Sequence, residues 1–187
     1  MPVRREWFWL ALLCLAPALL PEGGRDWLEY RREDILAGEV WRLLSGHWVH
    51  YSARHALLDG FTLVALAATL NHVGGGRLLP RLTLIALLMS LFLLVAVPEM
   101  ARYRGASGLV MALAGMLLSL LWRTHSAWRP GLVAITLLLC AKFLADALDL
   151  GADLVGLPDG IRVAWQAHAA GLALGLLAGK LSGRVAA

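Results

Sequence analysis

Six long stretches of this chain contain no Asp, Glu, Lys or Arg, and each is bounded by one of these residues. A helix needs roughly 20 apolar residues to cross a bilayer core about 30 Å thick. The stretches approach this length, and flanking residues can extend them. The sequence therefore predicts an all-α integral membrane protein with six transmembrane helices. The uncharged stretches are 7–21, 60–76, 82–98, 105–122, 130–141 and 163–179.

With their flanks, the predicted helices are somewhat longer than the uncharged stretches. The fifth stretch is the shortest, but Lys142 and Asp146 follow it four residues apart and can pair on one helical face, which lets the helix continue. The predicted helices cover approximately residues 6–21, 53–73, 79–98, 106–122, 130–149 and 161–180.

The composition excludes several other classes of protein. Hydrophobic residues make up 59% of the 187 positions and charged residues 16%, against about 45–50% and about 25% in soluble domains. A soluble globule and a disordered chain are both excluded. The net charge of +4 does not indicate nucleic acid as a partner, because the basic residues are scattered. Cys14 and Cys140 lie in separate apolar stretches and indicate neither a disulfide nor a zinc site.

The distribution of charge predicts the orientation in the membrane. With the N-terminus inside, the inner connections and termini hold eight basic residues and one acid, Glu6, whereas the outer side holds nine basic and twelve acidic residues. Both termini are therefore expected in the cytoplasm. The alternative for residues 1–21 is a cleaved signal peptide, which would leave an odd number of spans. The inner basic residues are Arg4, Arg5, Arg77, Arg81, Arg123, Arg129, Lys180 and Arg184.

Residues 22–49 form a much longer connection than the others. Connections of this length are usually functional or disordered. Trp27, Tyr30, Trp41 and Trp48 are interleaved with charged residues, which is typical of segments at the depth of the lipid headgroups. We expect an ordered interfacial loop, with an ordinary solvated loop as the alternative.

A serine stands between glycines at the start of the fourth predicted helix. Gly105, Ser107 and Gly108 place a hydroxyl near a helix N-terminus, where unpaired N–H groups favour a developing negative charge. The alternative is a helix cap with close helix packing, since Gly108 and Ala112 have the required spacing.

His168 is the second polar group in an apolar helix. Gly171, Gly175 and Gly179 follow it at every fourth residue, so one stripe of the sixth helix can approach a neighbour closely. If that neighbour is the fourth helix, His168 reaches Ser107 and can act as its base. The alternative is a structural histidine.

Three histidines and a carboxylate precede or begin the second helix. His47, His50 and His55 do not share one helical face, and no HExxH pattern is present, so the spacing argues against a metal site. His55 and Asp59 are one turn apart and are expected to point into the bundle.

Together these residues resemble the rhomboid family of intramembrane serine proteases. The resemblance runs from about Glu39 to Gly179 and implies a single rhomboid-like membrane domain over residues 1–187. The resemblance rests on the order of its motifs along a six-helix chain. In chain order they are Trp41-Arg42, His50, His55, the box around Ser107, His168, Gly171 and Gly175.

The resemblance also implies roles for individual residues. Ser107 is implied as the nucleophile and His168 as its general base, in a dyad without a third acid. His55 is implied to stabilise the oxyanion together with the backbone N–H of Ser107. Supporting roles fall on Gly105 and Gly108 around the serine, and on His50, Trp41 and Arg42 in the first loop.

Two positions depart from the family pattern. Asp59 stands where the family usually has asparagine. An ionised carboxylate would repel an oxyanion, so Asp59 is expected either to be protonated or to act as a structural acceptor. Met111 stands where a tyrosine often packs against the histidine, and a thioether can still pack against the ring.

The HWVH and HALLD segments look most like the bacterial rhombosortase branch. This resemblance implies cleavage of single-span membrane proteins that carry a C-terminal Gly-Gly motif, a helix and a basic tail. It implies a multi-pass protein of the bacterial inner membrane whose site opens to the outer side, without cofactor or metal. The rival functions are an inactive rhomboid-like protein that binds membrane helices and a transporter or channel, for which no internal repeat is found.

Overall fold

A computed structural model describes residues 6–74, 76–148, 150, 157 and 161–181. Within these ranges the regular secondary structure is helical apart from one short pair of strands. Two 3₁₀ turns, Ala16–Leu19 and Ser126–Trp128, extend helices at one end. The elements are α1 (Glu6–Leu15), α2 (Glu22–Leu28), β1 (Tyr30–Arg31), α3 (Arg32–Leu36), α4 (Arg42–Ser45), α5 (Ala53–His72), α6 (Leu78–Ala96), β2 (Arg102–Tyr103), α7 (Ser107–Thr124), α8 (Arg129–Ala147) and α9 (Trp165–Leu181).

Four helical segments in the described part of the chain are long and apolar enough to cross a membrane. They correspond to α5, α6, α7 and α8, the last together with its preceding 3₁₀ turn. Two further apolar helical segments are shorter: Glu6–Leu19, and α9 with 17 residues. These six segments lie at the six predicted helices, and four of them meet the length of a span.

The ends of two helices differ from the prediction. The first helix was expected to reach residue 21, but regular α-helix ends at Leu15, and a 3₁₀ turn containing Pro17 follows, since proline removes a donor from the ladder. The sixth was expected from residue 161, but it begins at Trp165 after non-helical residues 161–164. Residue 149, the predicted end of the fifth helix, lies outside the described residues, as do Arg4, Arg5, Asp153, Asp159 and Arg184.

The long connection between the first two predicted spans folds into short elements. It contains α2, β1, α3 and α4, and β1 pairs antiparallel with β2. Tyr30 pairs with Tyr103, and Arg31 pairs with Arg102. The strand pair therefore attaches this connection to the residues immediately before α7.

Helices α7 and α9 approach each other to backbone contact. A Cβ on Gly171 would overlap the carbonyl oxygen of Gly108, and one on Gly175 would overlap that of Ala112. From the other side, a Cβ on Gly115 would lie 2.5 Å from the carbonyl oxygen of Leu172. Only glycine fits these positions, so the small-residue stripe fixes α9 against α7.

Helix α8 contrasts with the rest of the bundle. Only 11% of the residues in its most apolar stretch are buried, whereas 56% are buried in the corresponding stretch of α7. Leu132 and Asp146 are its buried residues within the described helix. The polar Asp146 thus occupies one of the few places where α8 meets the other helices.

Candidate active site

Ser107 is the first residue of α7, and the backbone before it is unusual. Gly105 has a φ of +132°, which residues with a side chain rarely adopt. A Cβ there would also lie 3.0 Å from two ring atoms of His55. Because Gly105 turns the chain closely past His55, Ser107 begins the helix beside that histidine. The first N–H groups of the helix have no intrahelical partner and face the same end.

Ser107 and His168 are in hydrogen-bond contact. The distance from Ser107 Oγ to His168 Nε2 is 2.8 Å, and His168 is 3% exposed. The residues lie 61 positions apart, on α7 and α9. The glycine contacts that hold these two helices together therefore also hold the hydroxyl against the imidazole.

Gly108 adds to this close packing from the next position of α7. A Cβ on Gly108 would lie 2.8 Å from Met89 Sδ and 3.2 Å from the carbonyl oxygen of Ala167. The residue that precedes His168 is therefore in contact with the residue that follows Ser107. Met111, one turn further on, is buried and lines the cavity that also contains His168.

A carboxylate contacts the other nitrogen of the histidine. Asp146 Oδ2 lies 2.9 Å from His168 Nδ1 and 2.6 Å from Lys142 Nζ. The pairing of Lys142 with Asp146 is the one predicted from their spacing. The contact with His168 was not predicted, and it differs from the dyad without a third acid that the resemblance implied. The sequence feature that could have indicated this contact was an acidic residue in an otherwise apolar helix, since such residues are usually paired.

Asp59 is surrounded by hydrogen-bond donors. Its Oδ2 lies 3.1 Å from His50 Nε2 and 3.4 Å from His55 Nε2, and it accepts a 2.8 Å hydrogen bond from the backbone N–H of Ala106. This is the geometry of an acceptor, one of the two alternatives left by the sequence. Asp59 thus joins two histidines to the residue that precedes Ser107.

The same three side chains could also hold a metal ion. The ligand atoms of His50, His55 and Asp59 lie within 4.8 Å of one another. The histidine spacing was expected to argue against such a group, but the argument assumed a single helix, whereas His50 precedes α5 and folds back onto it. In a metal site the second ring nitrogen usually donates to a partner. Nδ1 of His50 and of His55 has none among the described residues, so the donor set fits hydrogen bonding better than metal binding.

His47 lies apart from that cluster. Its Nε2 is 2.9 Å from Ser90 Oγ and 3.1 Å from the carbonyl oxygen of Ala86, and its side chain is fully buried. Burial lowers the pKa of His47 to about 4. His47 is therefore neutral at physiological pH and joins the first loop to α6.

Trp41 and Arg42 hold the first loop together. The Trp41 indole stacks on Trp27 at a centroid distance of 5.1 Å and donates to its carbonyl oxygen. Buried Arg42 donates to the carbonyl oxygens of Asp26 and Glu29, at 2.7 and 2.8 Å. Both residues contact α2, and Arg42 also contacts Glu29 immediately after it, so they link the two ends of the loop.

A charged cluster joins this loop to the approach to Ser107. Arg104 contacts Glu22, Asp26 and fully buried Glu29, at 2.9, 2.5 and 3.0 Å. Next to it, burial raises the pKa of Tyr103 well above its ordinary value, so its hydroxyl keeps its proton and donates to Gly105 at 2.6 Å. No sequence motif indicated a role for Tyr103 or Arg104.

One cavity contacts most of these groups. Its volume is ≈ 240 Å³, small against the about 300–1,000 Å³ of typical ligand pockets. Apolar side chains, including Leu58 and Val110, form much of its wall. Polar residues of the site that line it are His55, Asp59, Tyr103, Arg104, Ser107, Lys142 and His168.

These features define a multi-pass membrane protein in which a hydroxyl contacts an imidazole and the imidazole contacts a carboxylate. The hydroxyl and the imidazole line a small cavity. The comparison with protein families gives the family. The model of the rhomboid domain matches residues 37–185, most of the chain. The chain therefore belongs to the rhomboid family. A search of curated proteins finds no match.

Proposed function

We propose that this protein is an intramembrane serine endopeptidase. Rhomboid proteins are in general intramembrane serine proteases, although inactive members exist. The observation that carries the proposal is the 2.8 Å contact between Ser107 Oγ and His168 Nε2 beside a cavity. A hydroxyl nucleophile needs an adjacent base to be activated, and a neutral imidazole serves this purpose near pH 7.

In this proposal Ser107 attacks a peptide carbonyl of the substrate while His168 takes the hydroxyl proton. The tetrahedral oxyanion is stabilised by the backbone N–H of Ser107 and by His55. His168 then returns the proton to the leaving amine as the C–N bond breaks, which leaves an ester on Ser107. Water attacks this ester with His168 again as the base, and the Ser107 hydroxyl and the carboxylic acid of the product are released. Asp59 acts as an acceptor that orients His50, His55 and the Ala106 N–H, and it does not contact the oxyanion.

We propose a topology of six spans, in which α1 with its 3₁₀ turn and α9 are the two short ones. Both termini lie in the cytoplasm, and the first loop lies at the outer interface of the bacterial inner membrane. The charge distribution supports this orientation. Single cysteines introduced at Arg77 and Arg102, in a variant without Cys14 and Cys140, test it. A membrane-impermeant maleimide added to intact cells is expected to label position 102 and not position 77, and the reverse would contradict the orientation.

The proposed substrates are single-span membrane proteins with a C-terminal Gly-Gly motif, a helix and a basic tail, as in the rhombosortase branch. The small cavity supports small side chains at the cleaved bond. Cleavage lies near the outer face and releases the ectodomain. Replacing both glycines of such a substrate with leucine is expected to prevent cleavage by the same enzyme.

The central test is Ser107→Ala in purified protein with a Gly-Gly-tailed substrate in vesicles. Cleavage is expected to be abolished, since no nucleophile remains, whereas Ser119→Ala serves as a matched control on the same helix and is expected to keep activity. A Ser107→Ala variant as active as the parent would refute the mechanism.

The rival function is that of an inactive rhomboid-like protein that binds membrane helices. Asp59, in place of the usual asparagine, is the observation that favours it. A serine-reactive phosphonate distinguishes the two: the proposal expects labelling of Ser107 that is lost in His168→Ala. An inactive protein would show no labelling above the Ser107→Ala background.

A further inference from the structure

Asp146 faces the nitrogen of His168 that does not face Ser107, at 2.9 Å. We propose that Asp146 is a positioning residue that turns the Ser107–His168 pair into a three-membered chain. The inference rests on the proposed function and goes beyond the dyad that family resemblance implied. It assigns Lys142 a supporting role, because its ammonium contacts the same carboxylate oxygen at 2.6 Å.

The first step of the argument concerns the tautomer of His168. An ionised carboxylate only accepts hydrogen bonds. Nδ1 of His168 must therefore carry the proton that bonds Asp146. In the neutral ring this leaves a lone pair on Nε2, the atom that lies 2.8 Å from Ser107 Oγ. Asp146 thus selects the tautomer that can accept the serine proton.

The second step concerns the location of the charges. Asp146 is 5% exposed on a helix that otherwise presents mostly apolar side chains to its surroundings. An ionised group is costly there unless it is paired, and such residues are typically functional. Lys142, whose side chain is 43% exposed, supplies the compensating charge from the same helix. The least buried of the four long apolar helices thus directs a buried carboxylate at His168.

The third step is the reaction itself. As the Ser107 oxygen bonds the carbonyl carbon, its proton moves to His168 Nε2 and the carbonyl π electrons move to the oxygen. The resulting imidazolium has protons on both nitrogens, and the carboxylate of Asp146 stabilises its positive charge. The Nε2 proton then moves to the amine nitrogen as the C–N bond breaks. Asp146 neither gains nor loses a proton.

The test compares three replacements of Asp146 in the full-length protein. Asp146→Leu removes every acceptor and is expected to lower kcat at least about 100-fold while KM changes less than about threefold, because substrate binding does not involve Asp146. Asp146→Asn keeps an acceptor without the charge and is expected to lie between Asp146→Leu and the parent. Asp146→Glu restores the charge and is expected to exceed the leucine variant. Thr136→Val, polar to apolar on the same helix, is the matched control and is expected to behave as the parent.

A second measurement does not depend on cleavage. Nitrogen NMR of histidine-labelled protein in micelles reports which ring nitrogen carries the proton, and the signal missing from His168→Gln assigns His168. The parent and Thr136→Val are expected to show the Nδ1–H form. Asp146→Leu is expected to shift the population toward Nε2–H.

The outcomes separate the inference from the proposed function. If the parent cleaves substrate, Ser107→Ala does not, and Asp146→Leu keeps the parental kcat, the inference is wrong and the proposed function stands. If the parent is inactive yet its His168 tautomer depends on Asp146, the positioning contact stands without the proposed function. If the tautomer is the same in the parent and Asp146→Leu, the positioning role is refuted.

Discussion

Helices α7 and α9 meet through their backbones, whereas α8 exposes most of its surface. The first pair carries Ser107 and His168, and its glycines leave no space for a side chain. The second region carries Asp146, in a helix where only 11% of the residues in the most apolar stretch are buried. The hydrogen bond between Ser107 and His168 thus depends on a contact that leaves no space for adjustment, while the carboxylate beside His168 comes from the least buried of the four long apolar helices.

The largest expected effect comes from separating α7 and α9, which meet through their backbones. In Gly175→Val, new side-chain atoms would overlap the carbonyl of Ala112, so α9 must move away from α7. A displacement of about 1 Å costs roughly 100-fold in rate, and phosphonate labelling of Ser107 is expected to be lost. Gly131→Val on α8 is the matched control, because a Cβ there has no atom within 4 Å. Equal labelling of the two variants would contradict the comparison.

A smaller effect is expected from shortening one leucine on each helix. Leu113 on α7 is fully buried, whereas Leu138 on α8 is 70% exposed. Leu113→Ala leaves a cavity and is expected to cost about 2–5 kcal/mol of stability. Leu138→Ala leaves no internal cavity and is expected to change stability by less than about 0.5 kcal/mol. Thermal unfolding in detergent gives both values. A larger loss of stability for Leu138→Ala would contradict the conclusion that α7 is more closely packed than α8.

A third effect, seen only as the pH is lowered, tests a buried region against the exposed α8. His47 is fully buried between the first loop and α6, in contrast to the exposed α8, and its pKa falls from 6.5 to about 4 on folding. Below pH 6.5 the unfolded chain binds a proton that the folded protein excludes. Stability is therefore expected to fall as the pH drops from 6.5 to 4, by on the order of 3 kcal/mol.

Two variants check this assignment. His47→Gln lacks the titrating group and is expected to lose less stability over the same pH range. His125→Gln, at an exposed position between α7 and α8, is expected to retain the parental decrease. The assignment to His47 would be wrong if His47→Gln and the parent had the same profile.

Much of the fold could be predicted from the distribution of charge along the chain. Charged residues bound the apolar stretches, so the positions of the six apolar helical segments followed directly. The ends were less predictable where local chemistry intervenes, as at Pro17 in the first segment. The subdivision of residues 22–49 could not be predicted, because those short elements are held by distant partners such as the strand at Tyr103.

The site was predictable in part, because its polar residues stand out in otherwise apolar helices. The motif around Ser107 and the stripe below His168 indicated which residues to bring together, and the structure places them in contact. Asp146 was seen only as a partner of Lys142, because a sequence does not show how α8 is rotated toward α9. The position of His50 beside Asp59 was missed because the chain turns between them.

The 61 residues between Ser107 and His168 also matter during synthesis. At about 5–20 residues per second, the ribosome adds the histidine roughly 3–12 s after the serine. Until α9 has inserted and its glycines have met α7, Ser107 lacks its contact with His168. In the proposed mechanism a nascent chain therefore cannot cut the neighbours that it meets in the translocation machinery, and cleavage can begin only when α9 is in place.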